Sequence, residues 1–272
     1  MQEQGHEAKK PSNLIKENLK DVEHITMVMS GKGGVGKSTV ASNLALTLSK
    51  KGKKVGLLDI DIHGPNLPKI LGVDKMRMEV SEGNRIEPVQ VAKNLKLTSM
   101  GFLLPSEKEA IIWRGPLKMK VIEQFLRDII WGELDWLIVD APPGTGDEPL
   151  SMAQLVPATS AIIVTTPQEI SILDVKKSVT FAQKLNLKIL GIVENMSGFI
   201  CPHCGEKIAL FMEGGGEIVS KEMGVPFLGS IPIEQEVVRA TDTGKPYVLD
   251  NPDSKVAKAF EKIAEKILET KD

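Results

Sequence analysis

The stretch Ser30–Thr39 reads SGKGGVGKST and directly follows an apolar run, Ile25–Met29. From Gly31 to Ser38 it fits the pattern G-x-x-x-x-G-K-[ST] of a phosphate-binding loop. Its four glycines allow the backbone to turn tightly, so that successive N–H groups point into one concavity and bind phosphate oxygens. A helix beginning at Lys37 would add its positive N-terminal end. The stretch therefore predicts a nucleotide site between a buried strand and a helix.

The side chains of this loop have separate predicted roles. Lys37 neutralises the β- and γ-phosphates of ATP, and Ser38 supplies a hydroxyl ligand to Mg²⁺. The predicted ATP-binding residues of the loop are Gly31, Lys32, Gly33, Gly34, Val35, Gly36, Lys37, Ser38 and Thr39.

Short apolar runs alternate with longer amphipathic segments along the rest of the chain. The runs predicted to be strands are Ile25–Met29, Val55–Asp59, Leu95–Met100, Trp136–Asp140, Ala161–Thr165, Ile189–Glu194 and Pro226–Ile231. The segments with helical spacing are Lys37–Lys50, Leu117–Trp131, Ser171–Leu185, Gly215–Met223 and Ser254–Thr270. Continuous apolar strands are typical of a parallel sheet covered on both faces.

This alternation predicts an α/β fold with a doubly wound, mostly parallel sheet. We expect a flexible polar leader at residues 1–22 and a single domain at residues 23–272, with a turn or hairpin insertion within Asp74–Asn94.

Composition argues against several classes of protein. A formal net charge of −2 gives no overall electrostatic footprint for nucleic acid. No apolar stretch reaches the roughly 18 residues that a membrane span needs. In the terminal helix, Glu261 and Glu265 interleave with lysines, so packing on the sheet is favoured over a membrane surface. Two cysteines cannot form a disulfide framework, which makes a cytoplasmic location the default. We expect neither a nucleic-acid nor a membrane partner.

A second lysine, Lys32, follows the first glycine of the loop. The arrangement K-G-G-x-G-K-[ST] resembles the deviant Walker A motif of the superfamily of MinD, ParA, the arsenite-pump ATPase and the nitrogenase iron protein. That resemblance implies a three-layer MinD-like P-loop NTPase fold and a homodimer. It also implies a catalytic role for Lys32 beside Lys37, because the additional lysine of the superfamily reaches the partner's nucleotide. The alternative is a solvated surface lysine.

Three aspartates end predicted strands at the edge where open α/β sheets bind ligands. Asp59 and Asp61 end VGLLDID, and Asp140 ends WLIVD, a Walker B pattern. With Ser38, the residues Asp59 and Asp140 are predicted to hold Mg²⁺ directly or through water. The superfamily resemblance makes Asp61 the candidate catalytic carboxylate, which positions the attacking water. An aspartate here is also a common N-cap or turn residue, but three on two strands beside a phosphate-binding loop favour a site.

The only cysteines, Cys201 and Cys204, lie in the segment FICPHCGEKI. Two thiolates spaced C-x-x-C on a tight turn can face one metal, and His203 between them is expected to point outward. Zinc and iron–sulfur clusters generally require four protein ligands, so bound metal would require two chains. The residues leave three possibilities open: a shared iron–sulfur cluster, a shared structural zinc, and a dithiol redox pair.

The order of the motifs resembles the Mrp (ApbC-type) family of iron–sulfur cluster carrier ATPases. Besides the loop and the CPHCG turn, the matching segments are DIHGPNLP at 61–68, WRGP at 113–116, DAPPGTGD at 140–147 and VENMSGF at 193–199. The resemblance implies ATP hydrolysis, a [4Fe-4S] cluster held between two subunits by Cys201 and Cys204, and apo iron–sulfur proteins as recipients. It also implies that Asn195 lies beside the adenine. The alternatives are a MinD/ParA-like positioning ATPase and a zinc-bridged ATPase dimer without cluster transfer.

Overall fold

The computed structural model describes residues 11–62, 64–81, 85–103, 115–200, 204, 206–208 and 213–270. The strands are β1 Val22–Met29, β2 Val55–Asp59, β3 Glu79–Ser81, β4 Arg85–Glu87, β5 Val89–Ala92, β6 Leu95–Ser99, β7 Leu134–Asp140, β8 Ser160–Thr165, β9 Lys188–Glu194, β10 Phe199–Ile200, β11 Lys207–Ile208 and β12 Phe227–Ser230. The helices are α1 Pro11–Asn18, α2 Lys37–Lys50, α3 Leu67–Ile70, α4 Gly115–Asp128, α5 Asp147–Leu155, α6 Glu169–Lys184, α7 Gly215–Met223, α8 Gln235–Thr243, α9 Tyr247–Asp250 and α10 Lys255–Glu269.

Eight of the strands form one sheet in the order β12-β9-β8-β1-β7-β2-β6-β5. All neighbours in it are parallel except β5, which runs antiparallel to β6 at the edge. Every residue of β2 and β8 is buried, as expected for strands covered on both faces. The predicted mostly parallel α/β fold is confirmed.

Hydrophobic clusters lie on both faces of the sheet, and alternate residues of each strand belong to opposite faces. On β1, Val28 packs with α2 and α10, whereas Met27 and Met29 pack with α1, α4 and α5. Helices α6 and α7 cover the second face beside β8 and β9. The structure is therefore a three-layer α/β/α sandwich.

The terminal helix α10 packs as predicted. Its residues Val256, Phe260, Ile263 and Ile267 are buried, and it contacts α2 and β12. None of the helices in the described part of the chain is long and apolar enough to cross a membrane.

The beginning of the described chain differs from the expected leader. Residues 11–18 form α1, in which Ile15 is 1% exposed, and they pack against α4. Asn18 Nδ2 donates to the carbonyl oxygens of Arg127 at 2.6 Å and Ile129 at 2.5 Å. This corrects the flexible leader for residues 11–22. The aliphatic residues of this eight-residue helix, Leu14 and Ile15, are adjacent, so the sequence shows no helical period there.

Two further regions refine the predicted organisation. The expected hairpin within Asp74–Asn94 is present as β3 paired antiparallel with β4. Helix α8 was not predicted, because its core-facing apolar residues, the buried Ala240 and the partly buried Val237, are too few to show a helical period in the sequence.

Candidate nucleotide site and cysteine hairpin

The candidate site lies at the carboxyl ends of the central strands β1, β2 and β7, which are neighbours in the sheet. A cleft of about 420 Å³ opens there. Its lining residues are Ser30, Lys32, Gly33, Gly34, Gly36, Lys37, Ser38, Thr39, Asp61, Gly64, Asn66, Lys69, Ile70, Pro143, Thr241 and Asp242. Most of the predicted phosphate-binding residues therefore share one cavity with the candidate catalytic carboxylate.

The backbone of the loop needs glycine at two positions for different reasons. Gly36, the residue before α2, has φ of 81°, and a Cβ there would meet Nδ2 of Asn195. Gly31 packs so closely on Asp174 that a Cβ would lie 2.5 Å from the carbonyl oxygen of that residue. Both glycines allow the loop to curve tightly against the elements that surround it.

Lys37 links the loop to two strand ends. Its side chain is 6% exposed, and its Nζ lies 2.5 Å from Oδ1 of Asp140 and 3.9 Å from Oδ2 of Asp61. An ammonium group held between two carboxylates at the floor of a cleft can shift to a phosphate oxygen without leaving the cavity. The structure brings together these three predicted catalytic and metal-site residues.

Asp59 is fully buried and its oxygens are taken by donors. It accepts hydrogen bonds from Ser99 Oγ at 2.8 Å, from Asp61 N at 3.1 Å and from Leu67 N at 3.4 Å. Burial and then the neighbouring Asp140 carboxylate raise its pKa well above the ordinary range. Asp59 thus holds the segment that carries Asp61, and its predicted contact with Mg²⁺ stays a prediction.

Asp140 has one oxygen that fits a metal-bound water. Its Oδ2 is buried without a hydrogen-bond partner among the described residues. Burial raises its pKa, against the opposing effect of the Lys37 ammonium. A buried acceptor of this kind needs a donor, which the waters around Mg²⁺ supply. No group of three His, Cys, Asp or Glu side chains in the described ranges is placed to hold a metal ion. Asp140 and Ser38 therefore fit a hydrated Mg²⁺ that takes its remaining ligands from phosphate and water.

Asp61 lines the cleft and is 7% exposed. Its Oδ1 accepts from the backbone N–H of Gly64 at 3.2 Å, which orients the carboxylate. This position suits a residue that orients water, and that role stays a prediction.

Lys32 lies on the lining of the cleft and is partly exposed. Its carbonyl accepts from Ser30 Oγ at 3.0 Å, and the Ser30 carbonyl accepts from Gly144 N at 2.8 Å. The phosphate-binding loop is thus tied to the segment that follows β7. The proposed reach of Lys32 to a partner's nucleotide stays a prediction.

Asn195 has a different observed contact from the one expected. It is 8% exposed at the end of β9, and its Nδ2 donates to the carbonyl oxygen of Val35 at 2.9 Å. The side chain therefore supports the phosphate-binding loop from below, and its predicted contact with adenine stays a prediction.

Sequence reasoning missed the far wall of the cleft. Lys69 and Ile70 come from α3, and Thr241 and Asp242 come from α8, about two hundred residues after the loop. Helix α8 carries no motif, and only the first two residues of α3 belong to one, DIHGPNLP at 61–68. The packing of α3 against α8 is therefore what reveals that wall.

The cysteine pair lies, in the sequence, between two short strands. These strands, β10 and β11, pair antiparallel and bring Phe199 opposite Ile208. Cys204 is exposed. Cys201 lies outside the described residues, as does His203. The described thiol is accessible to solvent or to a second molecule.

The fold and the cleft define the chain as a P-loop NTPase. The ParA family model described as NUBPL iron-transfer P-loop NTPase matches residues 21–268, and the chain belongs to that family. This confirms the family predicted from the motifs.

Three individual proteins illustrate the relationship. The chain is 51% identical to the iron-sulfur cluster carrier protein of Methanocaldococcus jannaschii over 256 residues, 94% of this chain and 87% of that protein. The ADP complex of a nucleotide-binding protein from Archaeoglobus fulgidus aligns with a TM-score of 0.77 and 41% identity, covering 86% of this chain and 92% of that one. The cell division ATPase MinD of Pyrococcus furiosus aligns with a TM-score of 0.64 and 28% identity, covering 91% and 99%.

Proposed function

We propose that this chain is an ATP-hydrolysing iron–sulfur cluster carrier. Two copies hold one [4Fe-4S] cluster through Cys201 and Cys204 of each chain and deliver it to apo iron–sulfur proteins. Family membership and the name of the Methanocaldococcus relative support this proposal. We also propose a cytoplasmic location, because a chain with only two cysteines cannot form a disulfide framework.

The residues of the cleft support the binding and hydrolysis of ATP. The loop amides and Lys37 bind the phosphates of ATP, while Asp61 orients a water in line with the γ-phosphate. Mg²⁺, held by Ser38 and Asp140, would neutralise the charge that develops on the phosphates. Lys32, on the lining of the cleft, is the residue that would reach the nucleotide of the partner copy.

One observation supports the binding of an iron–sulfur cluster: the thiol of Cys204 is exposed, and Cys204 lies between the paired strands β10 and β11 in the sequence. A structural thiol that served only the fold would be buried in the core. One chain has two cysteines in all, so a four-thiolate site needs a second copy.

The test is anaerobic reconstitution with iron and sulfide, read by visible absorbance, metal analysis and mass of the complex. The wild type should take up about one [4Fe-4S] cluster per two chains, as four thiolates per cluster require. The double variant Cys201→Ala, Cys204→Ala should take up none while retaining its affinity for ATP. His203→Ala, which retains both thiols, is the matched control.

Two results would contradict the carrier function. Undiminished cluster absorbance in the double variant would separate the thiols from the cluster. Stable zinc binding without iron uptake would instead favour the zinc-bridged ATPase dimer.

A MinD-like positioning ATPase is the second candidate, favoured by the structural similarity to MinD. It requires ATP-dependent binding to a membrane or to DNA. Sedimentation with anionic liposomes and with duplex DNA at physiological salt, with and without MgATP, tests it. We expect no binding in either case, since the chain has a net charge of −2 and acidic residues interleave in α10.

A further inference from the structure

The last residue of β9, Glu194, is a carboxylate with no exposed surface. Its Oε1 accepts hydrogen bonds from Ser197 Oγ at 2.5 Å and from Gly214 N at 3.2 Å, and its Oε2 accepts from Gly216 N at 2.7 Å. Ser197 precedes the two cysteines, and Gly214 follows them. A single side chain therefore fastens both ends of the cysteine segment, residues 197–214.

The hydrogen bonds of the Glu194 carboxylate are strong for two physical reasons. Gly214 and Gly216 lie at the N-terminus of α7, where the helix presents unpaired amides and a positive partial charge. Hydrogen bonds to an ionised acceptor in a buried place are stronger than neutral ones, and each donor left without a partner is costly. The cysteine segment should therefore follow any displacement of Glu194.

The next residue, Asn195, faces the nucleotide loop. Its Nδ2 donates to the Val35 carbonyl, and Gly36 leaves no space between itself and that amide group. The backbone N–H of Asn195 donates to the Thr165 carbonyl at 2.7 Å, which fixes the end of β9 on β8. The nucleotide loop thus touches the residue adjacent to the one that holds the cysteine segment.

The turn between the two contacts is short and stiff. Met196 adopts a left-handed φ of 58°, which a non-glycine residue rarely does. The N–H of Ser197 then donates to the Ile231 carbonyl at 2.9 Å. Only Met196 separates Asn195 from Ser197, so a displacement of Asn195 reaches Ser197 through a single residue of backbone.

We propose that Glu194 and Asn195 form a joint that couples the nucleotide loop to the cysteine segment, with both acting as positioning residues. Phosphates bound at the loop shift the Val35 carbonyl, Asn195 follows it, and Glu194 changes how the cysteine segment is held. The coupling rests on the proposed function for its purpose, which is to make cluster retention depend on nucleotide. As a physical property it does not need a cluster, because the joint lies wholly within one chain.

The experiment measures the reaction of Ellman's reagent with the metal-free protein, with and without saturating MgATP. Cys201 and Cys204 are the only thiols of the chain, so the rate reports on the cysteine segment alone. In the wild type we expect nucleotide to change the rate by about fivefold or more, the lower range of allosteric couplings. Glu194→Gln replaces one of the two accepting oxygens with an NH2 group, which then faces at least one N–H or O–H donor. The rate should therefore become almost independent of nucleotide. Asn195→Ala should do the same from the other end.

The matched control is Asn43→Ala. Asn43 is also a buried asparagine, 4% exposed, and its Nδ2 donates to the Thr39 carbonyl at 2.8 Å, but it belongs to α2 and not to β9. It should retain the wild-type dependence on nucleotide. Isothermal titration with ATP accompanies each variant. If Asn195→Ala no longer binds ATP, Glu194→Gln decides, since Glu194 does not contact the loop. If Glu194→Gln does not fold, Ser197→Ala decides in the same way.

The coupling is overturned if nucleotide leaves the wild-type thiol rate unchanged, or if the joint variants retain the wild-type ratio. Cluster uptake by the wild type is measured separately. If the wild type takes up cluster normally but its thiol rate does not depend on nucleotide, the coupling alone is contradicted. If the thiol rate depends on nucleotide but the protein takes up no cluster, the proposed function alone is contradicted.

Discussion

Helices α2 and α7 begin in the same way but serve different purposes. Each follows a left-handed glycine, Gly36 with φ of 81° and Gly214 with φ of 82°. At α7 the first amides are bound by the Glu194 carboxylate of the chain itself. At α2 the corresponding end opens on the cleft of about 420 Å³. The same backbone device becomes a fixed joint where the anion is built in, and a binding site where the anion must come from outside.

The largest expected effect is at the N-terminal end of α2, which opens on the cleft and is called the open end below; the N-terminal end of α7, filled by Glu194, is the closed end. Lys37→Ala removes the cation beside the phosphates and leaves Asp140 without its partner, so ATP hydrolysis should fall by about 100-fold or more. Steady-state phosphate release measures it. Lys50→Ala, which removes a surface pair with Glu261 at the far end of the same helix, should leave the rate near that of the wild type. Comparable rates for Lys37→Ala and the wild type would show that the open end is not the catalytic site.

The closed end should matter for stability. Glu194→Ala leaves three donors without their acceptor and should lower the free energy of unfolding by about 3 kcal/mol. Urea titration measures this, and Glu217→Ala, an exposed residue of the same helix paired with Lys221, should change it little. Saturating nucleotide adds about 2.7 kcal/mol to the free energy of unfolding at a hundredfold excess over Kd. It should stabilise the wild type, but it should not restore the hydrogen bonds that Glu194→Ala has lost. An unchanged midpoint in Glu194→Ala would contradict the role of the built-in anion.

The two glycines provide a direct comparison of the helix ends. Gly214→Ala meets no atom within 4 Å, so it should cost only the left-handed backbone, about 1 kcal/mol. Gly36→Ala has the same backbone cost and also collides with the Asn195 amide, so we expect a larger loss of stability and a loss of ATP affinity. Thermal unfolding and titration with ATP measure both variants. Equal effects would mean that the contact between Gly36 and Asn195 is unimportant.

The smallest expected effect is a pH dependence at the open end. Burial, followed by the Asp140 carboxylate, raises the pKa of Asp59. The folded state therefore holds this proton more tightly than the unfolded chain, whose pKa is about 3.9. The stabilisation is complete below that pH and is lost as pH rises through the folded-state pKa. Asp59→Asn cannot ionise and should flatten this decline in urea titrations without Mg²⁺ or nucleotide. An identical pH slope in the variant and the wild type would contradict it.

Much of the fold could be predicted because its signals are local. The bounds of α2, β2 and α7 agree with the sequence prediction, since apolar runs and flanking glycines mark each of them. Helices α1 and α8 escaped prediction because they bury too few apolar side chains to show a period. In the site, Lys37, Asp61 and Asp140 were predicted from motifs and meet in space.

Other parts of the site depend on contacts that no motif records. The Mg²⁺ contact of Asp59 stays a prediction, and what the structure adds is that its oxygens accept hydrogen bonds from Ser99 and from backbone amides. Asn195 was expected at the adenine, and its observed partner is the Val35 carbonyl. Residue type alone cannot distinguish these partners, because an aspartate or an asparagine serves a ligand and a backbone equally well.

The sequence by itself determined the phosphate-binding loop, the parallel α/β fold, the family and the lone cysteine pair. These depend on the conformations and chemistry of neighbouring residues, which consecutive letters specify. Only the tertiary structure decided that the Glu194 carboxylate fills the end of α7 while the end of α2 faces a cleft. Glu194 meets Gly214 and Gly216 across 20 and 22 residues, and Asn195 meets Val35 across 160. Such pairings arise only when the strands of the sheet bring distant segments to one edge.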